Sequence, residues 1–173
     1  SPNYIVPNFS GRTVSTVHDL SHILYPNFHP QARVEYMNMA LGESLARTDH
    51  VITVSEAVRQ EVLAHGLMSP EQVTAIHLAA GSDFRPRTSE MLDSVLNALG
   101  LKSGRYSLFV GTIEPRKNIQ RLVEAYGMLP KEVRHNWPLV IAGGNGWNSS
   151  AIHLCLAKAR AQGWLQYISY VDQ

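Results

Sequence analysis

The sequence has little of what marks several common classes of protein. It contains one cysteine, Cys155, so neither a disulfide framework nor a thiolate metal cluster can be built from it, and a reducing, cytoplasmic setting is expected. Its formal net charge is only +1, which gives no general basic field for nucleic acid or for an anionic membrane. No apolar run of these residues is long enough to cross a bilayer. The composition therefore indicates a globular protein that does not bind nucleic acid.

The sequence does have a regular alternation of short apolar runs and amphipathic segments. The amphipathic segments predict helices, and the runs predict strands at residues 13–17, 51–54, 73–78, 106–110, 139–142 and 167–171. Strands that are continuous apolar runs are typical of a parallel sheet with helices on both faces. We therefore predict an α/β protein with Rossmann-like parallel sheets covered by helices. Its strand-to-helix loops then share the carboxyl edge of the sheet, where ligands bind.

The composition changes between residues 79 and 88, where glycine, proline and two arginines replace the apolar runs. Such a composition is typical of a linker between domains. We therefore predict a first domain over residues 1–85, a linker and helix over residues 86–104, and a second domain over residues 105–173.

The most informative stretch is residues 111–118, Gly-Thr-Ile-Glu-Pro-Arg-Lys-Asn, which we call the cation loop. It follows an apolar run and precedes an amphipathic helix that begins near Asn118, so backbone N–H groups and the helix dipole favour an anion there. Arg116 adds a fork of donors and Lys117 a point charge. The pattern indicates a diphosphate site. One alternative is that both cations are simply solvated at a helix start, where the helix dipole destabilises them by up to about 1 kcal/mol. The other is that Arg116 simply pairs with Glu114.

Two further features lie at the predicted carboxyl edge. His18 ends the first predicted strand, where it either hydrogen-bonds a substrate near the reacting centre or is satisfied by its neighbours in a turn. The second feature is residues 143–146, Gly-Gly-Asn-Gly, which we call the glycine turn. It either is a tight turn that needs positive φ or allows a nucleotide to approach the backbone closely. From spacing alone, both pairs of alternatives stay open.

As a set, these motifs resemble a known family. The run FVGTIEPRKN at residues 109–118, followed by LVIAGG at residues 139–144, is similar to the start of the C-terminal domain of family 4 glycosyltransferases. Those are retaining enzymes with the GT-B architecture. Upstream, TVHDL at residues 16–20, VITVSEAV at residues 51–58 and AAGSDF at residues 79–84 are similar to the second half of their N-terminal domain. The resemblance covers nearly the whole chain, in order.

The resemblance implies transfer of a hexose, of the mannose or glucose class, from a nucleotide diphosphate sugar to an acceptor such as a glycan or a lipid-linked glycan. It implies retention at the anomeric carbon, no metal and no cofactor besides the donor. By the same resemblance, His18 is catalytic and reaches the donor sugar, and Lys117 binds the donor diphosphate. The other residues implied in donor binding are Gly111, Thr112 and Arg116 at the diphosphate, and Gly143, Gly144, Tyr170 and Val171 along the nucleotide.

The chain also departs from the family pattern. Many members carry an arginine directly after the glycine that ends the first strand of the C-terminal domain, where this chain has Thr112, so Arg116 is the candidate for that role. The family's glycine-rich acceptor loop and its acidic E-x7-E motif are not within these residues. We therefore expect an internal segment of a longer cytoplasmic enzyme that associates peripherally with the inner membrane surface, and we expect the segment alone to be inactive. A nucleotide-sugar epimerase of similar fold and a non-catalytic nucleotide-binding module remain as alternatives.

Overall fold

The structure is a computed structural model that describes residues 5–170. Its chain divides into two compact units, Ser1–Phe84 and Arg85–Gln173. The predicted linker and helix, residues 86–104, fall within the second unit. Each unit is built on its own parallel three-stranded sheet. The prediction of Rossmann-like α/β architecture is confirmed.

In the first unit the strands follow one another in the order β1-β2-β3. The elements of its described part are β1 (Val14–Val17), α1 (Ser21–Leu24), α2 (Gln31–Leu45), β2 (His50–Thr53), α3 (Glu56–Ala64) and β3 (Val73–Ala75), with 3-10 turns at Pro26–Phe28 and Pro70–Gln72. Ser55 caps α3, because its Oγ accepts a hydrogen bond from the Val58 N–H at 3.2 Å. The core is formed by Val17, Leu20, Leu41, Leu45, Val51, Val58, Val62 and Val73.

In the second unit the strand order is β4-β5-β6. Its elements are α4 (Ser89–Ala98), β4 (Ser107–Val110), α5 (Ile119–Gly127), α6 (Lys131–Asn136), β5 (Leu139–Ala142), α7 (Ser150–Ala161) and β6 (Leu165–Ile168), with a 3-10 turn at Pro115–Lys117. Successive residues of β5 face opposite sides of the sheet. Val140 packs against Leu96 of α4, whereas Ile141 belongs to the cluster that contains α5 and α7. Helices therefore cover both faces of this sheet.

Some predicted bounds differ from the structure. The last strand, predicted at residues 167–171, is β6 at Leu165–Ile168, because Gly163 with φ +80° ends the preceding helical segment and Leu165 already pairs with Leu139. The third strand, predicted at residues 73–78, ends at Ala75. Helices α1 and α6 were not predicted, since four and six residues are too few to show a helical period. Among the described residues no helix is long and apolar enough to cross a membrane.

Candidate functional site

The cation loop lies between β4 and α5. Residues Pro115–Lys117 form a 3-10 turn, Asn118 takes the left-handed conformation with φ +54°, and α5 begins at Ile119. The helix therefore starts where the sequence predicts it. The Asn118 side chain makes no capping hydrogen bond to the first turn of α5, so it does not occupy the N-terminal amides of this helix, which attract anions.

The glycine turn is hydrogen-bonded to the cation loop, and these bonds continue the parallel pairing of β4 and β5. The Gly111 N–H donates to the Ala142 carbonyl at 2.9 Å, and the Ile113 N–H donates to the Gly144 carbonyl at 2.9 Å. Gly146 completes the pairing with a hydrogen bond from its N–H to the Ile113 carbonyl at 3.0 Å. Backbone hydrogen bonds to the end of β5 and to the glycine turn therefore fix the first half of the cation loop.

Close packing of the two loops explains two of the three glycines. A Cβ on Gly143 would lie 1.9 Å from the Gly111 carbonyl oxygen, and φ is +155° there. On Gly146 it would lie 2.8 Å from the Ile113 oxygen, whereas on Gly144 it would meet no atom within 4 Å. Of the two alternatives left open by the sequence, the structure thus gives Gly143 and Gly146 a packing reason. Only at Gly144 is there open space beside the backbone.

The two cations of the loop have different surroundings. Arg116 is ion-paired with Glu114, with Nη2 at 2.9 Å and Nε at 3.1 Å from Oε1, and the Glu114 side chain is 3% exposed. The pairing that the sequence left as an alternative is therefore present. Lys117 is exposed and has no ion pair within residues 5–170. Lys117 is the cation of this loop that is available to a ligand, and Arg116 links the loop to a buried carboxylate.

Sequence reasoning did not single out Tyr167, which fixes the glycine turn from the third strand. Its hydroxyl donates to the Gly143 carbonyl at 2.9 Å and lies 3.4 Å from Oδ1 of Asn145, and its ring meets the His153 ring edge-on at a centroid distance of 5.6 Å. Its place in the last strand, beside β5, could have indicated this contact. The prediction, however, put Tyr167 at the start of that strand, whereas it lies near the end. Tyr167 is thus the third strand's contribution to the site.

Two further predicted site residues of the second unit, Thr112 and Tyr170, lie at the same carboxyl edge. Thr112 is exposed next to Gly146, since its Cγ2 is 2.8 Å from the position of a Cβ there. Tyr170 follows the end of β6 and is exposed. Val171 lies outside the described residues.

His18 belongs to the first unit. It follows β1 directly and is exposed, so it lies at the carboxyl end of a parallel strand, as predicted. Its neighbour Asp19 accepts a hydrogen bond from the Ser21 N–H at 2.9 Å. Asp19 therefore shapes the turn that presents His18.

Comparison with known proteins matches each unit to a glycosyltransferase model. Residues 7–80 match the model described as Glycosyltransferase Family 4, and residues 97–172 match the one described as Glycosyl transferases group 1. The chain is 36% identical over 170 residues to O-antigen chain mannosyltransferase B of Escherichia coli, covering 98% of the chain and 45% of that protein. It is 32% identical over 140 residues to the serotype-specific mannosyltransferase WbdA of Escherichia coli, covering 78% of the chain and 17% of WbdA. The chain thus spans less than half the length of these relatives.

Solved structures of glycosyltransferase type share the fold. Anabaena HepE in complex with UDP-glucose aligns with a TM-score of 0.69 at 14% identity, covering 93% of this chain and 42% of HepE. WaaG, described as a glycosyltransferase involved in lipopolysaccharide biosynthesis, aligns with a TM-score of 0.68 at 16% identity, covering 99% of this chain and 48% of WaaG. These structures show the fold, and the two matching models and the mannosyltransferase relatives assign the family: the chain belongs to the family 4 glycosyltransferases.

Proposed function

We propose that this chain carries the donor-binding part of a retaining glycosyltransferase. The enzyme would transfer a hexose of the mannose or glucose class from a nucleotide diphosphate sugar to a glycan or a lipid-linked glycan. The observation that carries the proposal is the cation loop itself, because it joins an exposed Lys117, a helix N-terminus and open space at Gly144 at one sheet edge. The mannosyltransferase names of the relatives and the UDP-glucose bound by HepE support the substrate class.

In this proposal Lys117 and the first amides of α5 bind the diphosphate of the donor. When the glycosidic bond breaks, negative charge grows on the departing nucleoside diphosphate, and a fixed cation beside it stabilises the transition state more than the ground state. Arg116 does not need to touch the donor for this, because its ion pair with Glu114 fixes the turn that presents Lys117. A hydrogen bond from a charged donor is worth about 1.5–3 kcal/mol.

The acceptor hydroxyl would attack the anomeric carbon from the same face from which the leaving group departs, since retention is part of the proposal. His18 is proposed as the catalytic residue of the first unit, on the resemblance and on its place at the end of β1. Transfer without a metal ion also belongs to the proposal. So does a cytoplasmic location, which is supported by the single cysteine of the sequence.

Isothermal titration of the 173-residue chain with UDP, GDP, ADP, UDP-glucose and GDP-mannose tests the donor site. We expect saturable binding of one nucleotide and its sugar, unchanged by EDTA. Lys117→Ala should weaken this binding about 10-fold or more, since about 1.4 kcal/mol corresponds to a factor of ten. Lys131→Ala is the matched control, because Lys131 is also an exposed lysine of this unit, in the first turn of α6.

Binding that Lys117→Ala leaves intact would contradict the assigned site, and no binding to a folded chain would contradict donor binding by this segment. Adding a lipid-linked glycan to the intact enzyme and determining the anomeric configuration of the product by NMR tests transfer and retention. Nucleotide binding without transfer there would favour the non-catalytic alternative. Conversion of a nucleotide sugar into its epimer in the absence of an acceptor would favour an epimerase.

A further inference from the structure

Two buried histidines lie in the first unit shortly after the segment that carries His18. His22 is in α1 and is 3% exposed, and His29 lies directly after the following 3-10 turn and is 8% exposed. Histidine that is buried must be kept neutral or be paired with an acid, because desolvation disfavours its charged form. Protonation of a buried imidazole in this segment therefore costs stability.

Hydrogen bonds connect His29 to the residue next to His18, and His22 follows Ser21 in α1. The Asp19 carboxylate accepts from the Ser21 N–H at 2.9 Å, and the Ser21 hydroxyl lies 3.0 Å from Nε2 of His29. His29 directly precedes Pro30, where α2 starts. We call Asp19, Ser21, His22 and His29 the histidine network; it ties the end of β1 to the start of α2.

The charged groups that face His22 come from three places in the chain. Burial is the main cause that lowers the pKa of His22; Asp19, from the end of β1, opposes the shift, while His29 and Arg33 of α2 reinforce it. Since the folded state lowers the pKa, the stability that neutral His22 contributes is fully present above the unfolded value of 6.5 and is lost as the pH falls through the folded value.

We propose that the histidine network positions His18: it holds the turn after β1 in place while His22 is neutral, and it releases this turn when His22 takes up a proton. His29 is then a positioning residue, acting on His18 through Ser21 and Asp19. An effect of this release on transfer depends on the proposed function, in which His18 is catalytic. The positioning of His18 by the network does not depend on the proposed function.

Amide hydrogen exchange of the 173-residue chain at about pH 7.5 and about pH 5.5, on either side of the histidine range, tests this device. The reporting amides are those of Leu24, Tyr25 and His29, which donate to Leu20, Ser21 and Pro26. We expect their protection factors to fall about 10-fold or more at the lower pH, and those of the β5 amides of the second unit to stay unchanged. The Hε1 signal of His18, compared between variants at one pH, reports on the surroundings of its ring.

Three variants separate positioning from packing. His22→Gln should keep the protection at the higher pH and remove its pH dependence. His29→Ala should lower protection and move the His18 signal at both pH values, and His29→Gln, whose amide can still reach the Ser21 hydroxyl, should restore both at the higher pH. His50→Gln is the matched control, because His50 Nε2 also lies near a hydroxyl, Thr74 Oγ1 at 2.9 Å, outside the network.

Equal protection of the wild type at both pH values would overturn the proposal, as would a pH dependence that persists in His22→Gln. A wild-type titration needs no variant, so it decides the matter even where a substitution unfolds the first unit. None of these readouts involves a nucleotide. Their failure would therefore leave the proposed donor site standing, and failure of the nucleotide titration would leave the histidine network standing.

Discussion

Replacement of Gly143 by alanine should destabilise the second unit strongly. The new Cβ would lie 1.9 Å from the Gly111 carbonyl oxygen, whereas non-bonded heavy atoms prefer about 3.5–4.0 Å. The clash is with backbone, so no side-chain rotation relieves it. The glycine turn and the cation loop must move apart.

The cost follows from what that movement breaks. Alanine at φ +155° is strained by about 1–3 kcal/mol. Separation of the loops also weakens the hydrogen bonds from Gly111 N–H to Ala142 and from Ile113 N–H to Gly144, each worth about 1 kcal/mol. We therefore expect the free energy of unfolding of the second unit to fall by about 3–5 kcal/mol, a large share of the stability of an ordinary domain.

Urea unfolding followed by tryptophan fluorescence measures this loss selectively. All three tryptophans, Trp137, Trp147 and Trp164, belong to the second unit, so their signal reports on that unit alone. With a urea slope of about 1–3 kcal/mol per molar, the midpoint should fall by at least about 1 M.

Gly144→Ala is the matched control, one residue away. A Cβ there meets no atom within 4 Å and Gly144 is not among the glycines with positive φ, so its effect should stay within about 0.5 kcal/mol. If Gly143→Ala were as stable as the wild type, or if Gly144→Ala were as damaging, the argument that the two loops are in backbone contact would be wrong.

Three further predictions concern other residues. Arg116→Ala should cost about 1–3 kcal/mol by leaving Glu114 buried without its cation, whereas Lys117→Ala should change the tryptophan-detected stability by less than about 0.5 kcal/mol. Ser55→Ala removes the N-cap of α3 and should cost about 1 kcal/mol in unfolding followed by far-UV circular dichroism, with tryptophan-detected unfolding unchanged. The Thr13 backbone N–H, which precedes β1, donates to Asp49 and lowers the pKa of its carboxyl. The wild type should therefore lose stability as the pH falls below about 3.8, and Asp49→Asn should lose less stability over that range.

The parts of the fold that the sequence predicted correctly depend on local signals. The apolar run of β5 is buried at all four positions, so its character is visible without knowledge of its partners. Likewise, the start of α5 after Asn118 depends on residues close in sequence.

Features that depend on neighbours distant in sequence were missed or misplaced. Tyr167 acts across two strands on Gly143, a contact that follows from the register of β5 and β6 and not from any local pattern. The sequence left the pairing of Arg116 with Glu114 as one alternative, and the burial that makes Glu114 a fixed partner comes from tertiary packing.

The central claim is that the cation loop binds the diphosphate of a nucleotide sugar. Mapping of amide chemical shifts in the 173-residue chain during titration with UDP and with GDP tests it most directly. We predict that the largest shifts fall on Thr112, Lys117, Asn118 and Gly144, and that they disappear in Lys117→Ala. Saturable binding that leaves residues 111–118 unshifted, or shifts concentrated elsewhere in the second unit, would contradict the account.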